Sequence, residues 1–320
     1  MPSYSVHGLT LSSTVPLPGL APAGPADATD ITCGFAEAPA PEPDGVSIDL
    51  PSAGALGDDR VLVQLFQRPA DDGWRLRYLD GTTFDLRADG CVVQSYTPHG
   101  ATLDDTLTYL YGPVLALVLR MRGVLALHAS AALVDGEAVL FVGGNGAGKS
   151  TLAAACARAG LAILSDDVVA LREAGGRWWA SSAYDHVRLW AASEEALFGA
   201  GTLPLLTPHW DKRVLPLRGH GYVHAEGCAP VRAVFVLDAR EAGAAASRLH
   251  PIAPREALLL LVAHAAASRL MTARLRALEL EPLGRFVTAC APRRLVLPDD
   301  MAQLGAAVAM VTVVVREAQA

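Results

Sequence analysis

Nine consecutive residues at 143–151, Gly-Gly-Asn-Gly-Ala-Gly-Lys-Ser-Thr, have the types and spacing to hold phosphate. They fit the pattern G-x-x-x-x-G-K-[ST], with Gly143, Gly148, Lys149 and Ser150 in the fixed places. Glycines let the backbone curl until successive N–H groups point at one anionic centre. A helix opening at the loop adds the positive end of its dipole to the same centre. Lys149 is placed to reach the β- and γ-phosphates, and the Ser150 hydroxyl to ligate Mg²⁺. Gly143, Gly144, Asn145, Gly146, Ala147, Gly148, Lys149, Ser150 and Thr151 are therefore expected to cradle a nucleoside triphosphate. The flanks agree: 139–142 is a short apolar run fit for a buried strand, and 151–159 favours helix.

An acid pair follows. Asp166 and Asp167 lie 17 and 18 residues beyond Lys149, room for one helix and one strand. The acids are thus expected at the carboxyl end of the strand adjacent to the loop strand. One carboxylate can hold Mg²⁺ through water while the other accepts the proton of an attacking hydroxyl. The spacing does not say which is which. The LSGGQ signature of transporter ATPases is absent. His128, 21 residues before Lys149 and flanked by Leu127 and Ala129, reads by residue type alone as a packing residue.

The stretch 127–171, with its His-bearing strand, glycine loop and Asp-Asp pair in this order, resembles the catalytic domain of HPr kinase/phosphorylase. It is still more similar to HPr-kinase-like proteins, some of which modify peptide natural products, lasso-peptide precursors among them. The resemblance spans about residues 124–240. It implies a P-loop core akin to the HPr kinase C-terminal domain and phosphoenolpyruvate carboxykinase, with ATP and Mg²⁺ as cofactors. Carried over, Lys149 and Ser150 bind phosphate and metal, Asp166 or Asp167 is the base, and His128 lies near the γ-phosphate. The family's RGLG-like run is missing; Arg218-Gly219 is followed by His220-Gly221, so the reverse, phosphorolytic reaction is not expected. Phosphoryl transfer needs another cation against the equatorial oxygens. Lys212 and Arg213 lie in a loop-like stretch bounded by Pro208 and Pro216, where such proteins carry a Lys or Arg. Arg213 is taken as the candidate and Arg188 as a weaker one. His7, His99, His209, His220, His224 and His250 show no ligand spacing.

The elements that must position these residues give an α/β reading. Residues 1–100 form a mostly β module, with Pro- and Gly-rich loops at 16–27 and 37–45 and strand-like runs at 46–50, 61–66 and 74–80. A hairpin follows at 82–96, turning at Ala88-Asp89-Gly90. Residues 101–320 form the catalytic domain, opening with a helix over 103–122. Its sheet runs from about 123 to 240, and from Pro254 onward it is largely helical, broken by a strand at 293–298. Hydrophobic residues make up 52% and aromatics 6%, so Ala, Val and Leu build the core. A formal charge of −7 without a basic run argues against nucleic acid and anionic membranes as partners. Apolar runs fall below the ~20 residues of a spanning helix. No secretion signal opens the chain, and five cysteines without a C-x-x-C pair suit reduced thiols, so a cytoplasmic location is expected.

The expected activity is transfer from ATP to a hydroxyl, Ser in particular, of a protein or peptide, with a lasso-peptide precursor as one such acceptor. The alternatives are a nucleotide-gated regulatory ATPase and a small-molecule or carboxykinase-like kinase. A homo-oligomer is compatible with each.

Overall fold

A computed structural model of the chain describes residues 1–24, 27–42, 46–48, 63–69 and 71–317. Parts of two strand-like runs, 49–50 and 61–62, lie outside the described residues, as do the loop residues 25–26 and 43–45. Two compact units divide the chain: Met1–Gly123 with Ala267–Arg276, and Val124–Ala266 with Ala277–Ala320.

Among the described residues the first unit is built on one nine-stranded sheet. Its strands are β1 (Ser3–Val6), β2 (Leu9–Ser13), β3 (Ala21–Pro22), β4 (Ile31–Ala36), β5 (Val46–Ile48), β6 (Val63–Gln67), β7 (Trp74–Tyr78), β8 (Thr83–Leu86) and β9 (Val92–Tyr96). Their spatial order is β3-β1-β2-β4-β9-β8-β7-β6-β5, and β8 and β9 form the hairpin expected over 82–96. Gly90 takes φ +68° at its turn, where a side chain would be strained. The helix expected over 103–122 is instead two, α1 (Leu103–Tyr109) and α2 (Leu115–Met121). Pro113 lacks the N–H that a continuous helix needs, and Gly112 beside it leaves helical geometry at φ −95°, ψ −105°. Thr102 and Asp105 close a reciprocal capping box at the start of α1.

The second unit begins with β10 (Leu125–Leu127), β11 (Ala129–Val134) and β12 (Glu137–Val142), then α3 (Lys149–Arg158) and β13 (Ile163–Ser165). Next come β14 (Val169–Ala174), β15 (Arg177–Ser181), β16 (His186–Trp190), α4 (Ala191–Phe198), β17 (Leu205–Thr207), β18 (Trp210–Pro216) and β19 (Cys228–Leu237). β20 (Arg248–Pro251), α5 (Pro254–Ala263), α6 (Ala273–Cys290) from Ala277 onward, β21 (Arg293–Val296) and α7 (Leu304–Glu317) complete it. The main sheet runs β10-β14-β15-β19-β12-β11-β13, with β21 beside β19. Both faces are buried, as the continuous apolar runs demand. On β12, Val139 and Phe141 pack with α3 and α7, while Ala138, Leu140 and Val142 pack with α5 and α6. That alternation is the two-residue period of a strand read from both sides.

Three expectations change. The run 125–134 is two strands, because β10 pairs with β14 and β11 with β12 and β13, and the chain switches partners at His128. The acid pair does follow a strand, β13, but antiparallel β11 lies between it and the loop strand β12. The stretch 210–216 is not a loop: β16, β18 and β17 form a separate three-stranded antiparallel sheet. No helix among the described residues is long and apolar enough to cross a membrane. The five cysteines are free thiols.

Candidate functional site

Register alone brings three chain segments to one sheet edge. β11 pairs Ala129 with Val142 of β12 and Ala131 with Ser165 of β13, both antiparallel. The start of β11, the end of β12 and the end of β13 therefore coincide, which gathers His128, the glycine loop and the acid pair. The loop leaves β12 through Gly143, where a Cβ would lie 3.1 Å from the Ala147 Cβ and 3.3 Å from the Leu237 Cβ. Gly148 caps α3 at φ +99°. Both positions need glycine for different reasons, space in one case and backbone conformation in the other.

Lys149 is buried, and its ammonium donates to the carbonyls of Gly143 (2.9 Å) and Gly144 (2.8 Å). Burial pushes its pKa down to about 8, against the opposing pull of Asp167 and Asp166. The Ser150 hydroxyl donates to Asp166 Oδ1 at 2.9 Å. The buried Thr151 hydroxyl shares a 2.8 Å hydrogen bond with Ser193 of α4, so it is committed to the core side of α3. Asn145 Oδ1 lies 2.9 Å from His128 Nε2.

The two acids have different surroundings. Asp166 is fully buried. Its Oδ1 accepts from Ser130 (2.6 Å) and Ser150, its Oδ2 from the Arg188 backbone N–H (3.0 Å), and its carbonyl from the Tyr184 hydroxyl (3.0 Å). Asp167 sits at φ +68°, and the Val168 N–H bonds the Asp166 carbonyl at 2.8 Å. That is a γ-turn with a non-glycine residue at its strained centre. Its carboxylate faces His128 Nδ1 at 3.2 Å and the Arg188 guanidinium at 3.6 Å. His128 Nδ1 is also 2.9 Å from the Asp167 carbonyl; with only acceptors around it, that nitrogen carries the proton. Burial alone would raise the Asp167 pKa. The His128 hydrogen bond and the charges of His128, Arg188 and Lys212 outweigh it and hold the carboxyl well below the usual carboxylate range.

The three-stranded sheet sorts the candidate cations. Arg188 pairs with Val214 and Trp190 with Lys212, so Arg188, Trp190 and Lys212 share one face. Arg188 stacks 4.6 Å over Tyr184, and the Lys212 ammonium lies 5.0 Å over the Trp190 ring. Arg213 is on the opposite face, the face of Val187, Leu189 and Leu215. There its guanidinium bonds Glu194 (3.2 Å) and Asp211 (3.1 Å). The structure thus brings His128, the loop, Asp166, Asp167 and Arg188 together and draws the Lys212 charge to them, and it commits Arg213 elsewhere.

Four residues that sequence reading passed over join this cluster. Ser130, two positions from His128 on the α3-facing side, was signalled by the strand period alone. Tyr184 carried no signal. His264, the residue that caps the C-terminus of α5, has its ring 3.8 Å from a Cβ built on Gly144, and its carbonyl accepts the His128 N–H at 2.8 Å. Burial first, then the Lys149 and His128 charges, lower the His264 pKa. Arg240 reaches over Gly148, where a Cβ would lie 2.9 Å from its Nη2. No group of three or more His, Cys, Asp or Glu among the described residues could hold a metal without help. The oxygens available to one are those of Ser150 and the acid pair, a set that suits Mg²⁺ bound chiefly through substrate and water.

No family model and no curated protein matches the sequence. Among solved structures the chain is similar to the HPr(Ser) kinase/phosphatase from Coxiella burnetii, at a TM-score of 0.33 and 13% identity, covering 61% of this chain and 90% of that one. A likeness this distant assigns no residue a role.

Proposed function

We propose that the second unit is a P-loop kinase core that transfers the γ-phosphoryl group of ATP to a hydroxyl, a serine of a protein or peptide. The observation that carries this reading is the division of the acid pair. Asp166 is bonded to the loop serine Ser150, while the adjoining Asp167 presents a carboxylate fixed by His128 and Arg188. Phosphoryl transfer asks for both: an acid beside the loop serine on the metal side, and an acid to receive the hydroxyl proton.

In this mechanism the loop amides and Lys149 hold the β- and γ-phosphates. Ser150 and Asp166 would hold Mg²⁺, which supplies positive charge against the phosphate oxygens. Asp167 orients the acceptor hydroxyl. As that oxygen bonds to the γ-phosphorus, the bond to the β–γ bridging oxygen breaks, ADP leaves and the hydroxyl proton passes to Asp167. His128 fixes Asp167 through its Nδ1–H, and Arg188 and Lys212 offset the local negative charge. The depressed Asp167 pKa keeps the carboxylate ionised and ready to accept a hydrogen bond.

The test is incubation with γ-labelled ATP, Mg²⁺ and candidate acceptors, including a lasso-peptide precursor. Label appearing as phosphoserine supports the proposal. Release of free phosphate alone would favour a regulatory ATPase, and a labelled small molecule would favour a metabolite kinase.

A further inference from the structure

β12 and β19 are parallel neighbours, pairing Val142 with Val236, so both strands deliver their next residues to the same sheet edge. After β12 comes the glycine loop, and after β19 come Asp238, Ala239 and Arg240. The backbone of this second segment is pinned on both sides of Arg240. The Asp238 N–H bonds the Leu295 carbonyl at 3.1 Å, and the Glu241 N–H bonds the Leu297 carbonyl at 2.9 Å. From that fixed base the Arg240 side chain crosses to the loop, where its Nη2 lies 2.9 Å from the Cβ position of Gly148, the cap of α3.

A guanidinium there is electrostatically out of place. The helix N-terminus carries partial positive charge from its unpaired N–H groups, and a second cation, Lys149, begins the helix. The polar partners of Arg240 among the described residues are weak: its Nη1 lies 3.6 Å from the Met301 sulfur and 4.0 Å from the exposed Asp299 carboxylate. The Arg240 guanidinium and the positive end of α3 thus meet at Gly148, an arrangement that makes sense with an anion between them. We propose that Arg240 is a nucleotide-binding residue, closing over the phosphate that sits at the start of α3, the one common to nucleoside di- and triphosphates. This rests on the P-loop reading above. It adds a ligand from outside the motif and predicts that the site retains ADP as firmly as it holds the same part of ATP.

Binding of ATP and ADP to the full chain is measured by calorimetry for wild type, Arg240→Met and Arg240→Lys, with melting temperatures alongside. Methionine keeps an unbranched, flexible apolar stem and removes the charge and its N–H donors. A charge-assisted hydrogen bond to phosphate is worth about tenfold or more in affinity. Arg240→Met should therefore weaken ATP and ADP by equal factors of about tenfold, and Arg240→Lys should recover part of the loss. Wild-type affinity for both nucleotides in Arg240→Met, with or without a lower melting temperature, overturns this inference and leaves the P-loop reading standing. A wild-type chain that binds neither nucleotide overturns both.

Discussion

The buried loop lysine makes nucleotide affinity depend on pH in a calculable way. Lys149 is 5% exposed, and burial holds its pKa at about 8 rather than 10.5. A phosphate group seated on the loop favours the protonated form, so binding is fully assisted below that value and loses the assistance above it. The loss is tenfold per pH unit for one proton. Between pH 7 and 9.5, with the lysine titrating at about 8, MgATP affinity should fall about 30-fold. The Asp167 and His264 pKa values are both lowered, so neither of these groups changes charge across the range. The assay is a calorimetric titration at several pH values for wild type and Lys149→Arg, whose side chain keeps its charge throughout. The reasoning fails if wild-type affinity is flat from pH 7 to 9.5, or if Lys149→Arg shows the same slope. The sign for folding without nucleotide is opposite. The unfolded chain binds the extra proton between about 8 and 10.5, so the Lys149 contribution to stability rises with pH across that window. Burial pushes the Cys33, Cys156 and Cys290 thiols up to about 12 and acts in the opposite direction, so the lysine's share is read from the difference between wild type and Lys149→Met in urea titrations.

The acid pair should respond unequally to amide substitution. Asp167→Asn should lower kcat by ~10²–10⁴ with nucleotide affinity nearly intact, whereas Asp166→Asn leaves hydroxyl donors facing an amide and should weaken Mg²⁺-dependent binding and cost about 1–3 kcal/mol of stability; two fully active variants would leave the pair as a turn. His128→Ala should keep a near-normal melting temperature and lose most transfer, and a stability loss with normal specific activity would show a packing role instead. Arg213→Ala strands the buried Glu194 carboxylate and should destabilise by about 3 kcal/mol while sparing activity per folded molecule. Lys212→Ala should do the reverse, and equal activity losses in both would refute the sorting of these cations by sheet face.

What could be read from the sequence was what the backbone itself demands. Gly143 leaves little room for a Cβ and Gly148 takes a φ that side chains rarely adopt, so the loop announces itself in residue types. The adjacent acids and the hairpin at 82–96 are similarly local. The helix expected over 103–122 breaks at Gly112-Pro113 because the proline's missing N–H overrides the continuous apolar period around it.

The remainder depends on pairings between segments far apart in the chain, and no local pattern encodes those. His128, between Leu127 and Ala129, reads by residue type alone as a packing residue, and only the resemblance to a family marks it for the site; it turns toward Asp167 because the strand changes partners at that residue. Lys212 and Arg213 are neighbours of the same charge, and only the register of β16 against β18 decides which one shares a face with Arg188. Read as a loop, the stretch offers no faces at all, and the choice falls to chance. Arg240 is the extreme case: nothing near it in sequence marks it, and it meets Gly148 because β19 runs parallel beside β12. A phosphate-binding motif states where an anion sits, and the sheet order decides which distant cations can reach it.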